Sequence, residues 1–336
     1  MPLMKIVVRM PNWIGDAVMA LPVLEALQAN FPRAELSAAT REWVGGLFSP
    51  GHGIKGLVPL PEVRDLKSLC EASSRLRQHG FDAGLLLTNS FSSALVFRLA
   101  GIPERWGYAR DGRGLLLSRG VPLKNGGASR HQMDYYRDLL AGLGIEASSW
   151  AVHLHLSEEE KTAAGKAMSE AGRNSARPLV VLNPGAAYGP AKRWPAERFA
   201  DLARLFQARK NADILLVGAA GEADIAASIA SGLERKPLDF TGKTSLRQLM
   251  GLISLGRVFV TNDTGPMHIA SALDVPVVAI FGPTDPEATG PSRRPSVVLK
   301  KDAPCWPCTY RSCPYDHRCM TGIGPEEVFS AAEGFL

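Results

Sequence analysis

Short apolar runs recur along the chain, each followed by a longer stretch of mixed polarity. In the first half such runs fall at residues 5–9, 35–40 and 81–88, with residues 16–30 and 90–100 patterned as helices. This alternation predicts parallel strands covered on both faces by helices. A short extended piece at 152–156 and a polar helical stretch at 157–173 come next, and the linker between the halves is placed at 145–157. A second series then begins, with strands at 179–182, 213–217, 258–261 and 275–281 and helices starting near Pro195, Gly221, Ser245 and Gly265. The expected fold class is α/β, as two doubly wound Rossmann-like domains spanning 1–150 and 151–336. Two such domains facing each other make an interdomain cleft at the carboxyl ends of their strands, where open α/β sheets bind ligands.

Composition narrows the class. A chain of 336 residues suits two domains of ordinary size. With 46% hydrophobic and 21% charged residues it reads as globular and soluble, since no apolar run approaches the ~20 residues of a membrane span. Residues 1–9 lack a small-residue cleavage site and are read as the first strand rather than as a leader. A net charge of +5 suits an anionic ligand or a membrane surface, and without a Lys/Arg block it argues against nucleic acid.

Three loops that follow strands carry candidate chemistry. The first, from Arg9 through Asn12, Trp13 and Gly15 to Asp16, lacks the spacing of a dinucleotide fingerprint, which argues against a nicotinamide dehydrogenase. Asp16 is the sole acid among the first 24 residues. At a helix start it can be the N-cap, or it can be a general base taking a proton from an acceptor hydroxyl. The second loop contains Gly185, Ala186, Ala187 and Lys192 and ends at Pro195. Small residues let a phosphate approach the backbone and the lysine can neutralise it; a solvated surface loop is the plainer reading. In the third, Asp263, Thr264, Gly265 and His268 open a helix whose free N–H groups favour an anion. Two such loops on one sheet edge suggest a diphosphate. Glu222, just beyond another strand, either accepts the hydroxyls of a ribose or is an ordinary first-turn acid.

These residues resemble the ADP-heptose:lipopolysaccharide heptosyltransferases over nearly the whole chain, most closely the type II branch that adds the second heptose. The resemblance rests on the Arg9–Asp16 loop, Asn89-Ser90-Phe91, Ala100-Gly101-Ile102-Pro103, the segment from Gly185 to Ala191-Lys192-Arg193-Trp194-Pro195, and Thr261-Asn262-Asp263-Thr264-Gly265. It implies the GT-B fold, an inverting transfer without a required cofactor, and an ADP-heptose donor held mainly by the second domain. Asp16 then matches the family's base, Lys192 its phosphate-binding lysine, Thr264 and Gly265 its diphosphate-binding helix end, and Glu222 its ribose ligand. The donor set is completed by Gly185, Ala186, Ala187, Thr244, Asp263 and His268. The acceptor is an anionic inner-core lipopolysaccharide, which places the enzyme on the cytoplasmic face of the inner membrane as a peripheral protein. Asn12, Trp13, Arg105, Arg110 and Arg113 are the acceptor-side candidates, within a basic stretch that also includes Arg98, Arg119 and Lys124. Rival readings are a related heptosyltransferase for another core position or a protein acceptor, and a non-catalytic nucleotide-sugar binder that would not need Asp16.

Cys305, Cys308, Cys313 and Cys319 lie within one short stretch, with His317 able to replace one thiol. A structural zinc or iron, free thiols and disulfides are all open for this cluster. Cys70 stands alone.

Overall fold

The computed structural model describes residues 3–48, 52–123, 131–293 and 295–336. The chain divides into two compact units, Met1–Val152 and His153–Leu336.

In the N-terminal unit the strands are β1 (Lys5–Arg9), β2 (Glu35–Thr40), β3 (Ile54–Pro59), β4 (Ala83–Leu86), β5 (Glu104–Tyr108) and β6 (Arg119–Val121). They form one parallel sheet in the order β3-β2-β1-β4-β5-β6. The C-terminal unit has β7 (Leu179–Asn183), β8 (Asp213–Leu216), β9 (Leu238–Asp239), β10 (Val258–Asn262), β11 (Val277–Phe281) and β12 (Ser296–Lys300). Its sheet, also parallel, runs β12-β11-β10-β7-β8-β9. Numbered within each unit, both orders are 3-2-1-4-5-6, the doubly wound arrangement. The chain reverses its winding between β1 and β4 in one unit and between β7 and β10 in the other. Loops leaving those four strands therefore sit at the switch points, where such sheets bind ligands.

The central strands are apolar because both faces are covered. β4, β7, β8, β10 and β11 are buried throughout, and Phe199, Phe206, Phe259 and Trp194 fill the C-terminal core. The expected strands at 5–9, 35–40, 179–182, 213–217 and 258–261 are present to within one residue. The expected 81–88 and 275–281 strands shorten to β4 and β11, and β3, β5, β6, β9 and β12 were not foreseen. Four of these five, β3, β6, β9 and β12, are edge strands, where half-exposed residues blur the apolar signal.

The helix expected at 16–30 is two helices, Ile14–Met19 and Leu21–Asn30, with Pro22 in the first turn of the second. A proline fits a helix start and disrupts an interior, which is why the break falls at Ala20. Ser157 caps the helix Glu158–Glu170 in a reciprocal box with Glu160. Residues 151–157 join no sheet, although Leu154 donates its amide to Ala272 at 3.0 Å. No helix of the described residues is long and apolar enough to cross a membrane.

Candidate active site

At the switch point of the C-terminal unit, two buried asparagines end β7 and β10. Asn183 donates to the Val217 carbonyl at 3.0 Å and accepts from the hydroxyls of Thr261 (3.2 Å) and Thr264 (3.0 Å). Asn262 donates to the carbonyls of Pro184 (2.8 Å) and Gly185 (3.1 Å) and accepts the Trp194 amide at 3.0 Å. Together they bind the start and end of the 184–194 loop to the strand that carries Thr264. Thr264 is the N-cap residue of the helix Gly265–Ala272, yet its hydroxyl faces Asn183 and makes no bond to that helix. The helix therefore starts without a side-chain cap, which leaves its positive end for an anion.

Lys192 sits beside this helix start. Its ammonium meets the Asp263 carboxylate at 2.5 Å, and the Thr284 hydroxyl donates to the same oxygen at 2.6 Å. The two charged side chains are only 13% and 6% exposed. The ammonium also lies 5.1 Å from the centre of the Tyr188 ring. An ammonium has three donors, so the Asp263 bond holds the cation in place without exhausting it.

Glu222 is buried, and its carboxylate accepts the Ala219 amide at 2.8 Å. It presses on Gly185: a Cβ built there would fall 1.9 Å from the Glu222 carboxyl carbon, so only glycine fits. The structure thus brings Gly185, Lys192, Glu222, Asp263, Thr264 and Gly265 to one edge of one sheet. Ala186 and His268 are buried close by in sequence, and Ala187 is exposed. Thr244 lines a cavity of about 160 Å³ with Glu160, Phe240, Lys243 and Arg247. Asn183, Asn262 and Thr284 received no role in the sequence reading, although Asn262 stands in one of its motifs. Their one signal is position, the first two as polar residues closing apolar strands and the third in the loop after β11.

In the N-terminal unit the loop after β1 opens the helix Ile14–Met19. Trp13 is its N-cap residue and Asp16 is in its first turn, so the N-cap reading of Asp16 is corrected. The carboxylate is half-buried and close enough to Tyr136 to act on its phenol. Burial raises the pKa of that phenol most, and the charge of Asp16 raises it further. Arg9 underlies the loop, donating to the Met10 carbonyl (2.6 Å), the Ala39 carbonyl (3.2 Å) and Asn12 (2.7 Å). Burial, and then the nearby Arg41, pull the Arg9 guanidinium down to about 9, still charged at neutral pH. Asn12 accepts the Trp43 indole on its backbone oxygen at 3.2 Å, and Trp13 is 57% exposed.

The basic stretch is less uniform than its sequence. Arg113 is fully buried and donates to the carbonyls of Tyr108 (2.8 Å) and Thr88 and to Asn89 (3.3 Å). Burial lowers its pKa to about 10. Arg105 donates to the carbonyls of Leu116 (2.7 Å), Ile102 (2.5 Å) and Pro103 (2.6 Å). Arg119 donates to the Leu143 carbonyl at 2.7 Å, Arg110 pairs with Asp111 at 3.0 Å, and Arg98 is exposed. Lys124 lies outside the described residues.

Residues 70–318 match the profile of glycosyltransferase family 9 (heptosyltransferase). The chain is 32% identical to lipopolysaccharide heptosyltransferase 2 of Salmonella typhimurium, over 88% of each chain, and equally so to that of Escherichia coli. The chain belongs to glycosyltransferase family 9. Among solved structures, E. coli ADP-heptose lps heptosyltransferase II superposes with a TM-score of 0.85 at 28% identity, covering 99% of this chain and 98% of that one. E. coli heptosyltransferase WaaC with ADP shares the fold at a TM-score of 0.74 and 20% identity, over 99% of this chain and 100% of that one. The protein is thus a glycosyltransferase of the GT-B fold.

One of the readings left open for this family 9 chain finds no support. Among the described residues no group of three or more His, Cys, Asp or Glu side chains is arranged to hold a metal ion, so the structure gives no support to a zinc or iron at Cys305, Cys308, Cys313 and Cys319. All four are free. Cys305 is exposed, whereas Cys319 is buried under Gly282, where a built Cβ would lie 3.4 Å from its sulfur. Burial pushes the Cys319 thiol pKa up, and the charges of Cys313, Cys305 and Cys308 add to that. The thiols are therefore neighbours, but ones that do not converge on a shared ion.

Proposed function

We propose that the protein transfers L-glycero-D-manno-heptose from ADP-heptose to a heptose of the lipopolysaccharide inner core, with inversion, adding the second heptose. The observation that carries this reading is the pairing of an anchored lysine with an uncapped helix start: Lys192, held by Asp263, beside Gly265–Ala272. That arrangement suits a diphosphate leaving group. The type II relatives, covered over 88% of their length, support the acceptor.

In this mechanism Asp16 takes the proton of the acceptor hydroxyl as its oxygen attacks the anomeric carbon. The bond from that carbon to the diphosphate oxygen breaks, and ADP leaves with the electron pair. Lys192 and the N–H groups at Thr264 and Gly265 receive the charge that develops, each such contact being worth about 3 kcal/mol in a transition state. Glu222 accepts the ribose hydroxyls, and Gly185, Ala186, Ala187, Thr244 and His268 shape the rest of the donor site. The leaving-group charge is thus met by side chains and backbone. On the acceptor side, Asn12 and the exposed ring of Trp13 meet the sugar, and the arginines draw in its phosphates. Because that acceptor is a lipid, the enzyme works as a peripheral protein at the cytoplasmic face of the inner membrane.

Incubation with ADP-heptose and a heptose-terminated inner-core acceptor tests this directly. The expected result is an acceptor heavier by one heptose, with ADP released only when acceptor is present. Nucleotide binding without transfer would leave a nucleotide-sugar binding protein, and transfer only to an acceptor lacking heptose would move the activity to the first core position.

A further inference from the structure

The Cys-rich segment before the last helix has no metal-binding role that the structure supports. It makes contacts of another kind. The Ala191 amide donates to the Arg311 carbonyl at 3.0 Å, and the Tyr188 hydroxyl donates to the Thr309 carbonyl at 2.8 Å. The His317 ring nitrogen Nε2 donates to the Ala191 carbonyl at 2.7 Å, across 126 residues of chain. The Arg311 guanidinium lies 5.4 Å from the centre of the same Tyr188 ring that faces Lys192. The two backbones touch as well: a Cβ at Gly189 would fall 2.4 Å from the Arg311 carbonyl oxygen. Both backbone groups of Ala191, the residue before Lys192, are thus held by this segment.

His317 itself is unusual in having φ of 58°, in the left-handed region that non-glycine residues adopt rarely. Such a conformation persists where surrounding contacts hold it. Here it aims the ring at Ala191. The structure leaves His317 free of any ligand role with the cysteines and gives it this one bond across the loop.

We propose that residues 309–317 are a positioning clamp for Lys192, with His317 as the positioning residue whose ring holds the Ala191 carbonyl and so fixes the turn that presents the lysine to the donor diphosphate. The inference rests on the reading of Lys192 as a phosphate ligand. Asp263 alone cannot do this work. A lysine stem is flexible, and if its turn drifted the ammonium would follow the carboxylate wherever the pair relaxed. A cation misplaced by about 1 Å loses much of its effect on a bound group. Two anchors, one on the ammonium and one on the backbone beside it, define its position.

The test measures binding of ADP and of adenosine to the full-length protein, with thermal melting alongside. His317→Ala is expected to weaken ADP about tenfold and adenosine less than twofold, because only the diphosphate meets Lys192. His317→Gln, which keeps a side-chain N–H, recovers most of that loss, and the KM for ADP-heptose follows the ADP affinity while the acceptor KM stays put. Unchanged ADP affinity in His317→Ala overturns the clamp. So does an equal loss for ADP and adenosine, which would mark a general structural role. Should His317→Ala fail to fold, Tyr188→Phe removes the bond to Thr309 and keeps the ring; a loss of about threefold for ADP alone supports the clamp, and no loss overturns it. A wild-type protein that binds no ADP refutes the donor reading instead, and the clamp with it.

Discussion

Two kinds of partner hold the buried and half-buried cations named for the two units. In the N-terminal unit Arg9, Arg41, Arg105 and Arg113 donate chiefly to backbone carbonyls. In the C-terminal unit Lys192, Arg177 and Arg247 face the carboxylates of Asp263, Asp213 and Glu160. A carbonyl satisfies the donors of a guanidinium and leaves its charge in place; a carboxylate satisfies the donors and cancels the charge. The first arrangement keeps a positive field over the unit proposed to meet an anionic acceptor, although its arginines are buried. The second places a cation accurately at the proposed donor site while moderating its pull, which would favour release of the nucleotide after transfer.

The largest effect expected from this division is at Asp16. Asp16→Asn should lower kcat by about a thousandfold, within the range for loss of a general base, and leave the Kd for ADP within about twofold. Near-normal turnover would remove Asp16 from the reaction, and a matching loss of ADP affinity would mean that the two units do not divide the work. Next comes Lys192→Ala, which leaves the Asp263 carboxylate buried with the Thr284 hydroxyl. Breaking a buried pair from one side costs about 3 kcal/mol, and ADP affinity is expected to fall by about a hundredfold. Adding Asp263→Asn should restore much of the melting temperature and none of the affinity. Affinity restored by that second change would show that the cation is not the phosphate ligand.

How far these features could be read in advance depended on how local their causes are. The central strands were legible because burial on both faces makes them continuously apolar, as in β7 and β10. The loops at the switch points were legible from Gly, Pro and Lys in short compass. The partners that hold them were not. Asn262 reaches Trp194 across 68 residues and Lys192 reaches Asp263 across 71, and nothing near either residue signals the other. Arg113 read as an acceptor-side cation because a carbonyl partner has no sequence signature at all. The four cysteines pointed the other way: close spacing suggested convergence, but spacing does not fix where each sulfur faces, and Cys319 turned into the core.

Two arginines three residues apart separate the structural from the electrostatic role within the N-terminal unit. Arg113→Ala strands several buried acceptors and opens a hole, so it should cost about 3 kcal/mol of stability. Arg110, paired with Asp111 at the surface, should behave differently: Arg110→Glu is expected to raise the acceptor KM by about fivefold with little change in melting. If both variants altered KM alone, the carbonyl-bonded arginine would have to be a ligand after all.

The smallest effect is a dependence on pH that only the carboxylate-held cations can show, since carbonyls do not titrate. Glu160 is held below the ordinary carboxyl value of 4.5, first by its hydrogen bond with Arg247 and further by the Ser157 amide, against an opposing effect of burial. Because the folded value is the lower one, its stabilisation is complete above the ordinary value and is lost as pH falls through the lowered one. The pair is partly open to solvent, so Glu160→Gln should cost about 0.5 kcal/mol at pH 7. That deficit should shrink towards zero as the pH is taken below 4.5. Over the same range the deficit of Arg113→Ala should stay constant, because its partners keep their form. Melting both variants against wild type from pH 7 to acid gives the comparison: a deficit in Glu160→Gln that does not change with pH would show that packing, and not the charge of the carboxylate, holds Arg247.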